Sequence, residues 1–352
     1  MNRLSSLAKP QLWLGVVISV IFVFLTFFNV QWVELVTALK GMQWSILFLA
    51  AMLCLFNLLI RGIRWQIFLA PLGPFAVRDA FAYVNIGYMA NNLLPFRLGE
   101  IIRAVLLGQK KAINTSAVLA TIVLERLLDM LSLAALTLIL MLAMPIAPLM
   151  KQTALVFGGM SFLAAAGLWW VAGHRSTDSM ERLQTSLESN HAAHLSRAKL
   201  KRALQIAISV GRLFTKGLAA VRSPRQAAAA VACSILAWGL AMGFTWLVLE
   251  ACSLHLPWTA TLMVVVMVNL GVAIPSAPGF IGVMHFLAVL ALSPWAVDEA
   301  AALGFSVVYH ALPFLITVAL GLAFLWKEGI QVGRLLGAGT ELVHTGQVSV
   351  SN

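Results

Sequence analysis

Acidic residues are scarce: 13 Asp and Glu stand against 24 Lys and Arg in 352 residues, and charged residues of both signs make up only 11%. So low a charged fraction excludes a solvated or disordered chain, which needs high net charge and low hydrophobicity. Cysteine is equally sparse. Cys54, Cys233 and Cys252 show no CxxC spacing, and two of them fall within apolar runs, so neither a disulfide framework nor a metal site is indicated. No Asp-x-Asp motif of the kind used for sugar nucleotides occurs, and no stretch is long and mixed enough for a sizeable soluble domain. No signal-peptide cleavage pattern follows the first apolar run, which is therefore read as retained.

What is abundant is hydrophobic sequence, 61% of residues with a mean hydropathy of +0.92, which indicates an all-α polytopic membrane protein. The formal net charge of +11 does not point to nucleic acid, because the basic residues lie between apolar spans. A cytoplasmic loop bias and contact with anionic lipid account for it.

The chain turns on Val84–Leu107. It opens as an apolar helix, breaks at Asn91-Asn92-Leu93-Leu94-Pro95, and resumes with Arg97, Glu100 and Arg103 among apolar residues. Proline lacks an amide hydrogen and disfavours helix in the residue before it. As helices, Phe81–Leu94 and Pro95–Leu107 would rise about 21 and 20 Å. Neither crosses a hydrocarbon core of roughly 30 Å, but together they would form a re-entrant hairpin. Irregular backbone at that depth is tolerated only beside protein or a watery cavity. A surface loop after a short helix is the plainer alternative.

In chain order, a basic arm precedes a span at Leu12–Val30, and Trp32–Trp44 is an interfacial connection. A second span runs from Trp44 to about Ile60 and ends in Arg61 and Arg64, with Trp65–Ala80 expected at the interface. After the hairpin come Ala117–Met144, carrying Glu125, Arg126 and Asp129, and a span at about Thr153–Ala172. His174–Arg225 is the one extended polar region, with ten Lys and Arg; part of it has the pattern of a helix on an anionic membrane surface or of a solvated linker helix. Ala227–Glu250 is the next span. Trp258–Ile274 and Gly279–Leu292 are short apolar pieces around Pro275-Ser276-Ala277-Pro278, and Ala300–Trp326 is the last span. Lys40 and Lys151 alone of the 24 basic residues fall in outside loops, so the N-terminus, the long loop and the tail are expected in the cytoplasm, across a cell inner (plasma) membrane.

An internal repeat organises the single membrane domain, 1–352. Val84-Asn85-Ile86-Gly87 is matched by Val268-Asn269-Leu270-Gly271, and Pro95-x-x-x-Gly99 by Pro278-x-x-x-Gly282. Aligning Pro95 with Pro278 relates 44–144 to 227–327, with 145–226 as a linking span and basic loop. The charge count makes the repeats inverted, each with one re-entrant helical hairpin. Inverted repeats with paired broken helices mark transporters, the site lying where the breaks meet. The hairpin-turn residues are Asn92, Pro95 and Gly99, and Pro275, Pro278, Gly279 and Gly282.

Glu100 and Arg103 are three apart, as are Arg126 and Asp129, so each pair shares a helical face. Ionised groups inside a bilayer pair with one another or line a water-filled pathway. Arg97, Arg103 and Arg126 could hold a phosphate through forked hydrogen bonds, aided by free amides at helix starts near Pro95 and Pro278. The acids Glu100, Glu125 and Asp129 would temper the anion trap. The competing reading is that these pairs only lock the hairpin to helix 117–144. His310, at nearly the repeat offset from Arg126, could face the same cavity and relay a proton, although a lone helical histidine more often bonds a neighbour. Asn85 and Asn269 are expected to tie broken backbone.

Three motifs carry a family resemblance: Asn92-Leu-Leu-Pro-Phe-Arg-Leu-Gly-Glu-Ile-Ile-Arg103, Glu125-Arg126-Leu-Leu-Asp129, and Ile274-Pro-Ser-Ala-Pro-Gly-Phe-Ile-Gly282 with His310. Over nearly its whole length the chain resembles the flippase-like membrane proteins of the UPF0104 group, which includes the membrane half of lysylphosphatidylglycerol synthetases and proteins found with hopanoid synthesis. Many relatives have an acidic residue where this chain has His285. The resemblance implies movement of an anionic lipid or lipid-linked headgroup between leaflets, with membrane lipids as partners and no nucleic acid, cofactor or enzymatic step. The soluble aminoacyl-transferring domain has no counterpart here, so lysyl-lipid synthesis is not expected. A homo-oligomer is left open. An intramembrane polyprenyl-phosphate glycosyltransferase and an ion-coupled transporter of a small anion are the alternatives.

Overall fold

A computed structural model describes residues 40–94, 98–145, 223–272 and 277–330, with isolated positions at 21, 152, 159 and 163. Pro95, Arg97, Pro275, the first expected span and most of the region from 146 to 222 lie outside the described residues. The described elements are all helical. α1 spans Trp44–Leu69, α2 Val77–Leu93, α3 Gly99–Lys111 and α4 Thr115–Ala143. α5 spans Pro224–Ala251, α6 Trp258–Gly271, α7 Val283–Leu292 and α8 Glu299–Lys327. Each half thus runs long, short, short, long. Among the described residues five segments are long and apolar enough to cross a membrane: Trp44–Leu72, Thr115–Ala143, Pro224–Ala251, Pro278–Trp295 and Glu299–Lys327. The protein is an all-α polytopic membrane protein.

Polar side-chain caps start three of the four long helices. Asn114 accepts from the Ser116 amide ahead of α4, Ser223 from Gln226 ahead of α5, and Asp298 from Ala301 ahead of α8. α2 stops at Leu93, and Leu94 is extended (φ −109°, ψ 147°), the conformation a following proline favours. The return arm of the second hairpin begins at Val283, later than the expected Gly279, because Gly279 and Gly282 have φ of +72° and +87° and cannot continue a right-handed helix.

One boundary differs more. α1 does not end near Ile60, and the segment from Trp65 begins as helix rather than as an irregular connection. The helix runs on to Leu69, with Arg64 and Trp65 fully buried. The helix can continue because acidic residues of α4 meet its arginines and because the Trp65 indole donates to Thr121 Oγ1 at 3.0 Å.

α1 packs along α5, and α8 along α2. α2 pairs with α3 as one hairpin and α6 with α7 as another. The hairpins meet at their tips: the Pro278–Phe280 turn packs on α2, and a Cβ at Gly279 would lie 3.3 Å from the Asn92 carbonyl. At the other end of the first hairpin, Tyr83 and Lys110 both bind Glu328 just past α8, and Lys111 pairs with Asp79 at 2.7 Å.

The repeated Val-Asn-x-Gly motif has a packing meaning. Gly87 lets α3 approach, its added Cβ meeting Gly99 O at 3.1 Å, whereas a Cβ on Gly99 would lie 1.9 Å from Gly87 O. Gly271 touches the Leu287 side chain of α7 in the same manner. Gly99→Ala is therefore expected to force the first hairpin apart and to cost about 1–3 kcal/mol, read as a lowered melting temperature of the purified protein. Gly271→Ala should cost less, since a flexible leucine end can turn aside while a backbone carbonyl cannot.

Candidate functional site

Seven charged side chains from three helices converge. α1 supplies Arg61 and Arg64, one turn apart; α3 supplies Glu100 and Arg103; α4 supplies Glu125, Arg126 and Asp129. Glu125 is fully buried and central. Its Oε2 accepts from Arg103 Nη2 at 2.8 Å, and its Oε1 from Arg126 Nη2 at 2.7 Å, with Arg64 Nη2 at 3.5 Å. Asp129 accepts from Arg64 Nη1 at 2.7 Å and lies 3.2 Å from Arg126 and 3.6 Å from Arg61. Arg64 also donates to Ser234 Oγ of α5 at 2.9 Å. Among the described residues four guanidiniums face three carboxylates, an excess of one positive charge.

The network has two layers. Arg64, Arg103 and Glu125 are sealed inside, with Arg103 stacked 4.7 Å from the Trp65 ring centre. Among the described residues Arg103 Nε and Nη1 have no hydrogen-bond acceptor, and the indole face is what meets them. Isolated charge in such a setting is costly, so this layer fixes α1, α3 and α4 to one another. The second layer borders a cavity of about 350 Å³. There the Arg126 side chain is 37% exposed, with Nε 3.7 Å from Glu100. Arg61 is held by Nε to Asn57 Oδ1 at 2.8 Å and by a long contact to Tyr88 Oη at 3.5 Å. Asn57 is itself anchored to the Ala237 carbonyl of α5 at 2.5 Å.

Of the residues singled out from the sequence, Glu100, Arg126, His310, Asn92 and Asn269 line this cavity. Arg103 and Glu125 lie behind it, and Asp129 joins the layers. Gly99 sits in the contact of the hairpin arms, and Pro278, Gly279 and Gly282 form the second tip. Sequence reasoning missed Arg61, Arg64, Asn57 and Asn91. The available signal was the three-residue spacing of Arg61 and Arg64 inside a run that stays apolar through Leu69.

His310 is not alone. Its Nδ1 lies 3.1 Å from His285 Nε2 of α7, the rings edge to face at 4.9 Å. The second hairpin is thus tied to its following long helix by a neutral-capable pair, where the first hairpin is tied by Arg103 and Glu125. Asn85 and Asn269 each donate to the carbonyl four residues back, Phe81 and Val265, both at 2.8 Å. Asn91 Oδ1 accepts from the Gly99 amide at 2.8 Å, closing the break, and Asn92 Nδ2 donates to Thr317 Oγ1 at 2.9 Å. The cavity therefore joins a basic corner, a carboxamide wall and the aromatic faces of Phe244, Phe280 and Phe314. Such a site can hold an anion with an apolar extension. Among the described residues no group of His, Cys, Asp and Glu could hold a metal ion.

Residues 12–321 match the family described as "Lysylphosphatidylglycerol synthase TM region". No curated protein matches the chain.

Proposed function

This chain belongs to the lysylphosphatidylglycerol synthase TM region family, a lipid-related membrane family, and from that premise we propose that it moves an anionic lipid headgroup between leaflets, as a flippase or scramblase, and is not an enzyme. One observation carries the reading: Arg61 and Arg126 border the cavity at the meeting of two broken hairpins, and each keeps guanidinium edge for a ligand. Among the described residues Arg61 Nη2 and Arg126 Nη1 have no protein acceptor. A phosphate is the anion that a pair of forks fits best. The aromatic faces would take the first carbons beyond it.

We take the two halves, 44–144 and 227–327, as inverted repeats, with the hairpin tips near the bilayer midplane. The matching element series and the contact between Gly279 and Asn92 support that assignment. The test is reconstitution in liposomes carrying fluorescent phosphatidylglycerol, with an impermeant quencher outside. Protein-containing vesicles should lose more than half of the signal, and protein-free ones about half; equal loss in both would overturn the proposal. The buried Arg103–Glu125–Arg64 layer favours a purely architectural role for those three, and the transport role is accordingly assigned to Arg61, Arg126 and Glu100.

Orientation follows from the distribution of charge. The α3–α4 turn carries Lys110 and Lys111, while the α7–α8 turn carries only Asp298 and Glu299. The first should face the cytoplasm and the second the outside of the inner membrane. With Cys54, Cys233 and Cys252 replaced, an impermeant thiol reagent on intact cells should label Ser293→Cys and spare Gln109→Cys. The reverse pattern would invert the topology.

A further inference from the structure

We infer that the cavity selects a phosphodiester lipid whose headgroup carries hydroxyl groups, a glycerol or a sugar, over one that carries an amine. The inference rests on the proposed lipid reading and concerns the chemistry beyond the phosphate.

The basic corner accounts for one anionic group only. Arg61 and Arg126 stand together beside Glu100, and the polar wall beyond them includes the uncharged side chains of Asn91, Asn92, Asn269 and Thr317, with His310. Three of these carboxamides use only one of their two ends on the scaffold. Asn91 uses its oxygen on the Gly99 amide, Asn92 its nitrogen on Thr317, and Asn269 its nitrogen on the Val265 carbonyl. Among the described residues the complementary atoms, one donor and two acceptors, make no hydrogen bond to the protein. A hydroxyl is both donor and acceptor, so it suits a wall that offers both. An ammonium group is a donor only and would leave the Asn91 amide without an acceptor.

Charge decides against the amine as well. Among the described residues Glu100 is the one carboxylate on the cavity wall, and it stands 3.7 Å from Arg126 Nε. An incoming ammonium would compete with that guanidinium while lying near a second one at Arg61. The aromatic faces of Phe244, Phe280 and Phe314 attract cations in isolation, but they equally accept the C–H face of a polyol. With an excess positive charge in the adjoining network, the neutral hydroxylated group is the better occupant. A volume of about 350 Å³ suits a headgroup and excludes a long oligosaccharide.

The test uses the full-length protein in detergent and short-chain lipids as competitors against a fluorescent phosphatidylglycerol. Phosphatidylglycerol and phosphatidylinositol should bind about five- to tenfold more tightly than phosphatidic acid, and more tightly again than phosphatidylethanolamine. Asn269→Ala removes a wall acceptor without removing a helix backbone bond, and should bring phosphatidylglycerol affinity toward that of phosphatidic acid. Equal binding of all three anionic lipids, or no change in Asn269→Ala, overturns the hydroxyl selection and leaves the anionic-lipid reading standing. Preference for phosphatidylethanolamine overturns the selection in the opposite sense. Glycerol 3-phosphate alone, tested as a soluble competitor, separates the sources. If it binds as well as the lipid, or if no lipid binds at all, the lipid reading itself fails.

Discussion

Glu125→Ala is expected to lower the stability of the purified protein by about 3–5 kcal/mol, enough to prevent its recovery in folded form. The carboxylate meets Arg103 at 2.8 Å and Arg126 at 2.7 Å, with Arg64 at 3.5 Å, and two of those three arginines are sealed from solvent. Its loss leaves them as neighbouring like charges, held only by Asp129, Ser234 and the Trp65 ring. Glu125→Gln keeps the volume and one acceptor, and should fall between wild type and alanine. Thermal unfolding in detergent or nanodiscs reads both. A Glu125→Ala protein that melts with wild type would mean that the buried layer does not hold α1, α3 and α4 together.

The cavity-facing arginines should behave in the opposite way. Arg61→Lys and Arg126→Lys keep the charge but replace a planar fork by a point donor. Each loses at least one charge-assisted hydrogen bond to phosphate, worth roughly 1.5–3 kcal/mol, which corresponds to about ten- to hundredfold slower headgroup movement. Melting temperatures should stay close to wild type, because Lys can still meet Asp129 or Glu100 at the partly open rim. Arg126→Ala should lose both movement and stability, since Glu125 and Asp129 each lose a partner. Lysine variants that move lipid at the wild-type rate would sink the assignment of these two residues to substrate.

The contrast between the two arginine pairs shows which kinds of feature the sequence makes legible. Glu100, Arg103, Glu125, Arg126 and Asp129 were visible because charge inside an apolar run is conspicuous and their helical spacing puts them on shared faces. The long spans were visible for a related reason, since a run of about twenty apolar residues is what a helix needs to cross a bilayer. Arg61 and Arg64 were not visible. A basic residue near the end of an apolar run ordinarily marks the membrane surface, and only Asp129, 65 residues later, shows that these two are internal. The cavity wall was hidden similarly. Asn91 looks like a helix breaker, and its capture of the Gly99 amide depends on how the hairpin arms close. The partnership of His310 with His285 joins different helices, and no local pattern encodes it.

The network also has a temporal side, visible in where its members fall along the chain. Apart from Ser234, every residue that neutralises another lies between Arg61 and Asp129. A ribosome adding 5–20 residues per second would deliver Asp129 roughly 3–13 s after Arg64. During that interval α1 carries two guanidiniums whose partners have not yet been made, and α3 then adds a third. The nascent helices therefore have a reason to wait at the insertion machinery and enter the lipid together, once α4 has arrived, well before the second half is synthesised. In that order of events the first half is the seed, and the second half, with far fewer buried charges among the described residues, assembles against a partner whose ion pairs are already made.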